Sequence, residues 1–274
     1  MRIVALRDTR TKNVGDLAVS PVLYADALDL GAHVWKSIDY TAASMALRFG
    51  DVLLLGGGGI AGSFFPWRKA FGAIPTERLK DVVAWGVGTN YHDYRATLVN
   101  SGKVEKRRGL EYPAWVQRIH DGGGLVGVRD VGAPYPWVPC TSCMMPQLEA
   151  LRATEPTRDV VGYGHFEVPL RVPVHQLTND VPLGVALAHL ASADTIVTNS
   201  YHGAYWGALL GRKVVVVDAF SNRFRFMKHP PAFADSPADW EAAAALAVTY
   251  PAALEECRVA NLAFANMFRA RFGG

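Results

Sequence analysis

The sequence predicts an α/β protein of two Rossmann-like lobes, each built on a mostly parallel sheet, facing a central cleft. Three observations predict it. Short apolar, β-branched runs alternate with helix-forming segments along most of the chain. The alternation breaks near residue 155 and resumes, dividing the 274 residues into lobes at 1–152 and 153–274, with the terminal helices packing back across the body. Several of the apolar runs empty directly into glycine, asparagine or arginine, residue types that suit a ligand site beyond a strand's carboxyl end.

Composition sets the outer bounds. Half of the residues are hydrophobic and 19% are charged, which is ample material for buried cores. No apolar run approaches the roughly 18 to 20 residues that span a bilayer. The opening MRIVALRDTR is a short strand followed by charge, not a leader peptide, so a soluble cytoplasmic protein is expected. A formal net charge of +3 suits an anionic small substrate or peripheral contact with an anionic membrane surface, and is too weak to argue for nucleic acid. Three cysteines make no disulfide framework, and the apolar excess leaves a homodimer open.

The first strand is expected over 2–6, then a polar turn, then a helix over 16–30. Asn13, Gly15 and Asp16 lie in the turn between them, where anions or hydroxyls are held. The alternative is a plain helix start with Asp16 as a first-turn acid. A buried strand over 51–55 follows and runs into Gly56, Gly57, Gly58 and Gly59. Glycine admits positive φ and lets a ligand approach the backbone, so this run is expected to be a close-contact loop. It is neither GxGxxG nor a P-loop, and dinucleotide or ATP binding is not read from it. Residues 82–88 form another strand ending in glycine, with a polar loop at 89–95 and a charged, exposed stretch at 101–108.

A strand over 124–130 ends in Arg129 and Asp130. An arginine there can fork onto a carboxylate or phosphate, or can simply pair with its neighbour. The proline-rich stretch 131–146 contains Cys140-Thr-Ser-Cys143. No second CxxC and no histidine pair complete a zinc site, so buried thiols are the expectation and no metal is assigned.

After a linker at 153–158, a strand over 159–163 opens the second lobe, followed by a loop at 164–167 and a helix over 182–192. Residues 194–218 then read as strand, tight turn, helix, strand. Asn199 and Ser200 are N-cap types, Gly211 suits the helix end, and 214–217 is a strand buried on both faces. Ser200, Tyr201, His202 and Gly203 therefore stand at a helix N-terminus beyond a parallel strand, where amides and the helix dipole favour an anion and an imidazole can move a proton. The alternative is that Asn199 caps and His202 packs. Beyond residue 218, basic residues including Arg223 and Lys228 alternate with aromatics through residue 229. That pattern can clamp single-stranded nucleic acid, but one short copy is better suited to lending cations to an anionic ligand. Helices are expected over 238–248 and 251–272.

Taken together, N-V-G-D at 13–16, D-V-L-L-L-G-G-G-G-I at 51–60, G-V-G-T at 86–89, V-R-D at 128–130, T-N-S-Y-H-G at 198–203 and S-N-R-F at 221–224 resemble the polysaccharide pyruvyl transferase family, in the family's order. Val138-Pro139-Cys140 stands roughly where members often carry Asp-Pro. The resemblance implies a GT-B-like two-lobe fold, with an N-terminal acceptor side and a C-terminal donor side. It also implies transfer of pyruvate from phosphoenolpyruvate onto two hydroxyls of a saccharide or lipid-linked saccharide, in exopolysaccharide or cell-surface glycan synthesis, with no cofactor or metal.

On that reading His202 carries the proton transfers and Asp16 serves or orients the acceptor hydroxyls. Arg129 with Arg223 or Lys228 holds the donor's two anionic groups, and Asn13, Gly15, Gly57, Gly58, Gly59, Asn199, Ser200 and Gly203 line the substrates. Two alternatives stay open: a GT-B-like glycosyltransferase using a nucleotide sugar, and a non-catalytic relative that binds a glycan or an anion.

Overall fold

The structure, a computed structural model, describes residues 1–8, 10–31, 34–39, 52–62, 74–90 and 110–273. The expectations for 91–95 and 101–108, and for the first residue of the 51–55 strand, lie outside the described residues.

Two five-stranded sheets organise the chain, and all named strand pairs in both are parallel. The first contains β1 (Arg2–Arg7), β2 (Val34–Asp39), β3 (Val52–Gly62), β4 (Val82–Asn90) and β5 (Leu125–Val128), in the order β2-β1-β3-β4-β5. The second contains β6 (Arg158–Gly164), β7 (Gln176–Thr178), β8 (Ala193–Thr198), β9 (Lys213–Val217) and β10 (Ala232–Ala234), in the order β10-β9-β8-β6-β7. Counted within its own sheet, each has the order second, first, third, fourth, fifth. Both therefore reverse direction between their first and third strands, and that is where open parallel sheets bind ligands.

Strand side chains divide among three cores, one of them shared by both sheets. Ile3, Leu54, Trp85, Ile196, Val214 and Val216 belong to one contiguous buried cluster that includes residues of both sheets. Val4, Leu53, Leu55 and Ala84 pack instead with Trp115 and Ile119 of the Ala114–Asp121 helix. Val197, Val215 and Val217 pack with Ala234, Ala243 and Ala247. Apolar residues on both faces are why these strands read as continuous hydrophobic runs.

The Ala253–Phe272 helix crosses to the first sheet. Asn261 Oδ1 accepts from Trp85 Nε1 at 2.9 Å, and Phe264 meets the Trp85 ring edge-on at 4.9 Å. Arg269 donates to the carbonyls of Leu28 and Asp29, and Arg271 to that of Lys80. No helix among the described residues is long and apolar enough to cross a membrane.

Two expectations about local structure need correction. The helix expected over 16–30 is a single turn, Val14–Leu17, followed by extended backbone at Ser20 and a 3-10 turn at Pro21–Tyr24. Pro21 disfavours helical backbone at the residue before it. The glycine run is not a loop. It lies inside the 11-residue β3, paired to β4 from Gly56↔Trp85 to Gly62↔Asn90, with an irregularity between Gly58 and Ala61.

Candidate functional site

The strand ends of the two sheets meet through their loops. Val14 N donates to Asn179 O at 2.8 Å, Val131 N to Phe226 O at 2.9 Å, and Ser221 Oγ to Asn90 Oδ1 at 2.8 Å. Each bond joins a segment after or at the end of a first-sheet strand to one following a second-sheet strand. Asp16, Arg129, His202 and Arg223 gather at this junction.

Arg129 follows β5 and is 3% exposed. Its side chain runs over Gly88, where a β-carbon would come within 2.1 Å of Nε, and its guanidinium carbon sits 3.8 Å above the Tyr201 ring. The adjacent carboxylate of Asp130 is 3.9 Å from Nε, beyond hydrogen-bond range. Asp130 Oδ2 is engaged elsewhere, accepting from Thr89 N at 2.6 Å and Tyr112 Oη at 2.8 Å. Nε and Nη2 of Arg129 are buried without a hydrogen-bond partner among the described residues. A buried guanidinium with two unsatisfied donors is costly to the protein alone, and an anion would relieve that cost. Arg223 approaches the same Tyr201 ring at 5.6 Å, and lies 5.3 Å from the rings of both Phe220 and Phe224. The aromatic residues of this loop therefore cradle a cation.

His202 is the second residue of the Tyr201–Leu209 helix, which is buried throughout. Its ring packs on the Asn13–Asp16 turn so closely that a β-carbon on Gly15 would lie 2.1 Å from Nδ1. Nε2 stands 3.6 Å from the Cys140 sulfur. Burial first, then the charges of Arg129 and Arg223, push the imidazole well below its usual pKa, so it is neutral at pH 7. Asp16 behaves oppositely. Burial raises its carboxyl, while Arg223, Arg129 and a hydrogen bond with Asn13 offset part of that rise. Both arginines thus act on both titratable groups, which places all four in one electrostatic neighbourhood.

The other expected site residues serve different ends. Asn13 caps the Val14–Leu17 turn, its Oδ1 taking the Gly15 N–H at 3.0 Å. The Asp16 and Leu17 amides bond to Asn13 O and the Val14 amide to Asn179 O, so this turn has no amide left for an anion and offers the Asp16 carboxyl instead. Asn199 ties loops together, accepting from His165 N at 2.7 Å and donating to Val168 O at 3.0 Å. Ser200, and not Asn199, is the residue at the N-cap, without a side-chain cap bond. Gly203 packs the helix onto β6 and β8, since a β-carbon there would lie 2.5 Å from Thr198 Oγ1.

Gly57 and Gly58 do adopt positive φ, at 36° and 82°. The close approach at Gly57 is to Val19, and at Gly59 to Asn90, and a β-carbon on Gly58 would meet the Val19 side chain at 3.8 Å, so this backbone is shaped for protein contact. Lys228 pairs with Glu256 at 3.0 Å and lies 4.4 Å over the Trp137 ring.

Beside the cluster, an apolar cavity of about 640 Å³ is lined by Val14, Leu17, Tyr24, Met145, Val181 and Leu183, with Lys12 and Asp180 among its polar residues. Val14 and Leu17, three residues apart, face the cavity from the same turn that carries Asp16, so the two regions share a wall.

Sequence reasoning gave no such role to Tyr201 as the ring beneath Arg129, to the Asp130–Tyr112 pair, to Gly88 or to Cys140, although it read Cys140 as a buried thiol. Tyr201 and Gly88 lie within motifs already singled out. Tyr112 carries no local signal.

No protein-family model and no curated protein matches the chain. Among solved structures it is similar to spinosyn rhamnosyltransferase SpnG complexed with thymidine diphosphate, at 11% identity and a TM-score of 0.42, over 98% of this chain and 96% of that one. SpnG itself gives 11% identity and a TM-score of 0.39 over the same shares. Neither likeness is close enough to assign a fold family or an activity.

Proposed function

We propose that the chain transfers pyruvate from phosphoenolpyruvate to two hydroxyls of a saccharide, forming a cyclic ketal, in a GT-B-like arrangement of its two sheets. One observation carries the reading. Arg129 is a buried guanidinium with two unpartnered donors, and a second guanidinium, Arg223, approaches the same Tyr201 ring. Two cations against one ring suit a ligand with two anionic groups a few bond lengths apart, as the carboxylate and phosphate of phosphoenolpyruvate are.

On this reading Asp16 and His202 exchange the roles expected from sequence. His202, held neutral, has no extra proton to give; it hydrogen-bonds the donor's anionic oxygens or the acceptor. Burial raises the Asp16 carboxyl and lowers the His202 imidazole, so on this reading Asp16 is the group that carries the transferable proton. In its protonated form Asp16 gives a proton to the methylene carbon, and one sugar hydroxyl adds to the adjacent carbon and returns its proton to Asp16. The C–O bond to phosphate then breaks, the second hydroxyl closes the ketal, and its proton leaves with the phosphate. Atoms and charge balance with no further reactant. The apolar cavity behind Val14 and Leu17 supports an acceptor whose saccharide reaches Asp16 while an apolar aglycone lies in the cavity.

The volume of that cavity also favours a second reading, a glycosyltransferase that seats the nucleoside of a nucleotide sugar there and its diphosphate on the two arginines. One experiment separates the two. Thermal shifts are recorded with phosphoenolpyruvate and with UDP, GDP and TDP, followed by phosphorus NMR of phosphoenolpyruvate incubated with lipid-linked and free saccharides. Stabilisation and phosphate release with phosphoenolpyruvate, both lost in Arg129→Ala, are the expected result. Stabilisation by a nucleoside diphosphate alone would replace the first reading with the second. Binding of phosphoenolpyruvate without release across the acceptor panel would favour a non-catalytic anion-binding protein.

A further inference from the structure

Cys140 belongs to the CxxC segment that the proposed chemistry does not use, yet its sulfur is the polar atom next to His202. The surrounding hydrogen bonds run in one direction. Trp206 Nε1 can only donate, and it donates to Ser142 Oγ at 3.0 Å. Ser142 is fully buried, and its oxygen lies 3.2 Å from Cys140 Sγ. Among the described residues that sulfur is the acceptor left for the serine hydrogen, and buried donors are nearly always satisfied. Cys140 then has its own hydrogen to give, and His202 Nε2 is 3.6 Å away. A thiol is a weak donor, and the site favours its protonated form because burial raises the Cys140 pKa.

We propose that Cys140 is a positioning residue: as the last donor in the chain Trp206 to Ser142 to Cys140, it makes Nε2 of His202 an acceptor and fixes the ring as the tautomer with hydrogen on Nδ1. Nδ1 lies on the edge facing Gly15 and the turn that carries Asp16, and among the described residues it has no hydrogen-bond partner. The neutral ring thus presents an N–H to the junction of the two sheets. There it can bond an anionic oxygen without bringing a charge of its own. The opposite tautomer would present a lone pair to the same place and repel the anion.

The tautomer rests on the geometry and burial of this cluster; its consequence for turnover rests on the pyruvyl-transfer reading, and the test keeps the two apart. The full-length protein is labelled with nitrogen-15 histidine, and long-range proton–nitrogen correlations are recorded at neutral pH without any ligand. His202 is identified by the signals that disappear in His202→Asn. The expected wild-type pattern is a protonated Nδ1 and an unprotonated Nε2. Cys140→Ser, whose hydroxyl can still donate, retains it, whereas in Cys140→Ala the Nε2–H form rises to at least a comparable population. A wild-type spectrum with hydrogen on Nε2 would overturn the proposal without recourse to any variant, and so would an unchanged tautomer in a folded Cys140→Ala. If phosphoenolpyruvate is turned over, kcat should fall roughly tenfold in Cys140→Ala with KM little changed, the worth of about one hydrogen bond, and fall less in Cys140→Ser. Absence of turnover in the wild type would sink the pyruvyl-transfer reading while leaving the spectrum to decide the tautomer.

Discussion

The guanidinium of Arg129 lies on the ring of Tyr201, 3.8 Å from its centroid, so a side chain from the end of β5 in one sheet rests on the first residue of a helix leaving β8 in the other. The contact couples the anion-binding cation to the relative placement of the two sheets. Tyr201→Phe keeps the ring and should leave phosphoenolpyruvate affinity close to wild type. Tyr201→Leu removes the π face and should weaken it roughly tenfold, about 1.4 kcal/mol for a desolvated cation–π contact. Isothermal titration of the two variants checks this, and equal affinities would show that the ring does not hold the cation.

Two glycines permit that packing for steric reasons. A methyl on Gly15 would come within 2.1 Å of His202 Nδ1, and one on Gly88 within 2.1 Å of Arg129 Nε. Neither residue is among the positive-φ glycines, so alanine meets no backbone strain and its effect is displacement of the facing side chain. Gly15→Ala and Gly88→Ala should each cost about 1 to 3 kcal/mol of stability and remove most of the activity. Denaturant unfolding alongside phosphate release measures both. By contrast, Gly184→Ala, with open space around its β-carbon, should be silent in both assays.

The neutral His202 predicts a pH dependence of stability. Its folded pKa is depressed below the ordinary 6.5, so at pH below 6.5 the unfolded chain binds a proton that the folded one refuses. Stability should therefore fall as pH drops from about 6.5 toward 5, with His202 contributing a slope of at most about 1.4 kcal/mol per pH unit. His189 and His229 are lowered too, chiefly by burial, and add in the same direction. His202→Gln should flatten the slope by up to one proton's worth. Urea unfolding at a series of pH values is the measurement, and an unaltered slope would mean that His202 titrates normally in the folded protein.

The last helix is as much part of the first sheet as of the second. Phe264 and Phe268 are fully buried against Trp85, and Asn261 satisfies the Trp85 indole. Phe264→Ala should cost about 3 to 5 kcal/mol. A fragment ending at residue 152 would expose the Trp85 face and should not give a cooperative unfolding transition. A fragment that did fold cooperatively would show that the first half is self-sufficient.

Much of the fold was legible in the residues. Parallel strands buried on both faces appear as continuous runs such as 52–55, 82–87 and 214–217, and each of these lies in a strand. The three strands that sequence reasoning passed over, β2, β7 and β10, all lie at sheet edges, where half the pairing is absent. The segment 16–30 misled because its apolar content outweighed one proline. The glycine run misled for another reason: sequence reveals that the backbone is free to approach something closely, but not that the partner is Val19 and Asn90.

By itself, the sequence determined which residues stand beyond the ends of strands: Asp16, Arg129, His202 and Arg223, each marked by an apolar run that stops. Such stops are local facts, set by the hydrophobic pattern of a few neighbouring residues. Only the tertiary structure decided that loops more than two hundred residues apart in the chain share one neighbourhood. Only burial there, beside two guanidinium groups, decided that the histidine is neutral and the aspartate's carboxyl is raised. Charge states depend on what surrounds a group in space, and for these residues the surroundings come from the other sheet.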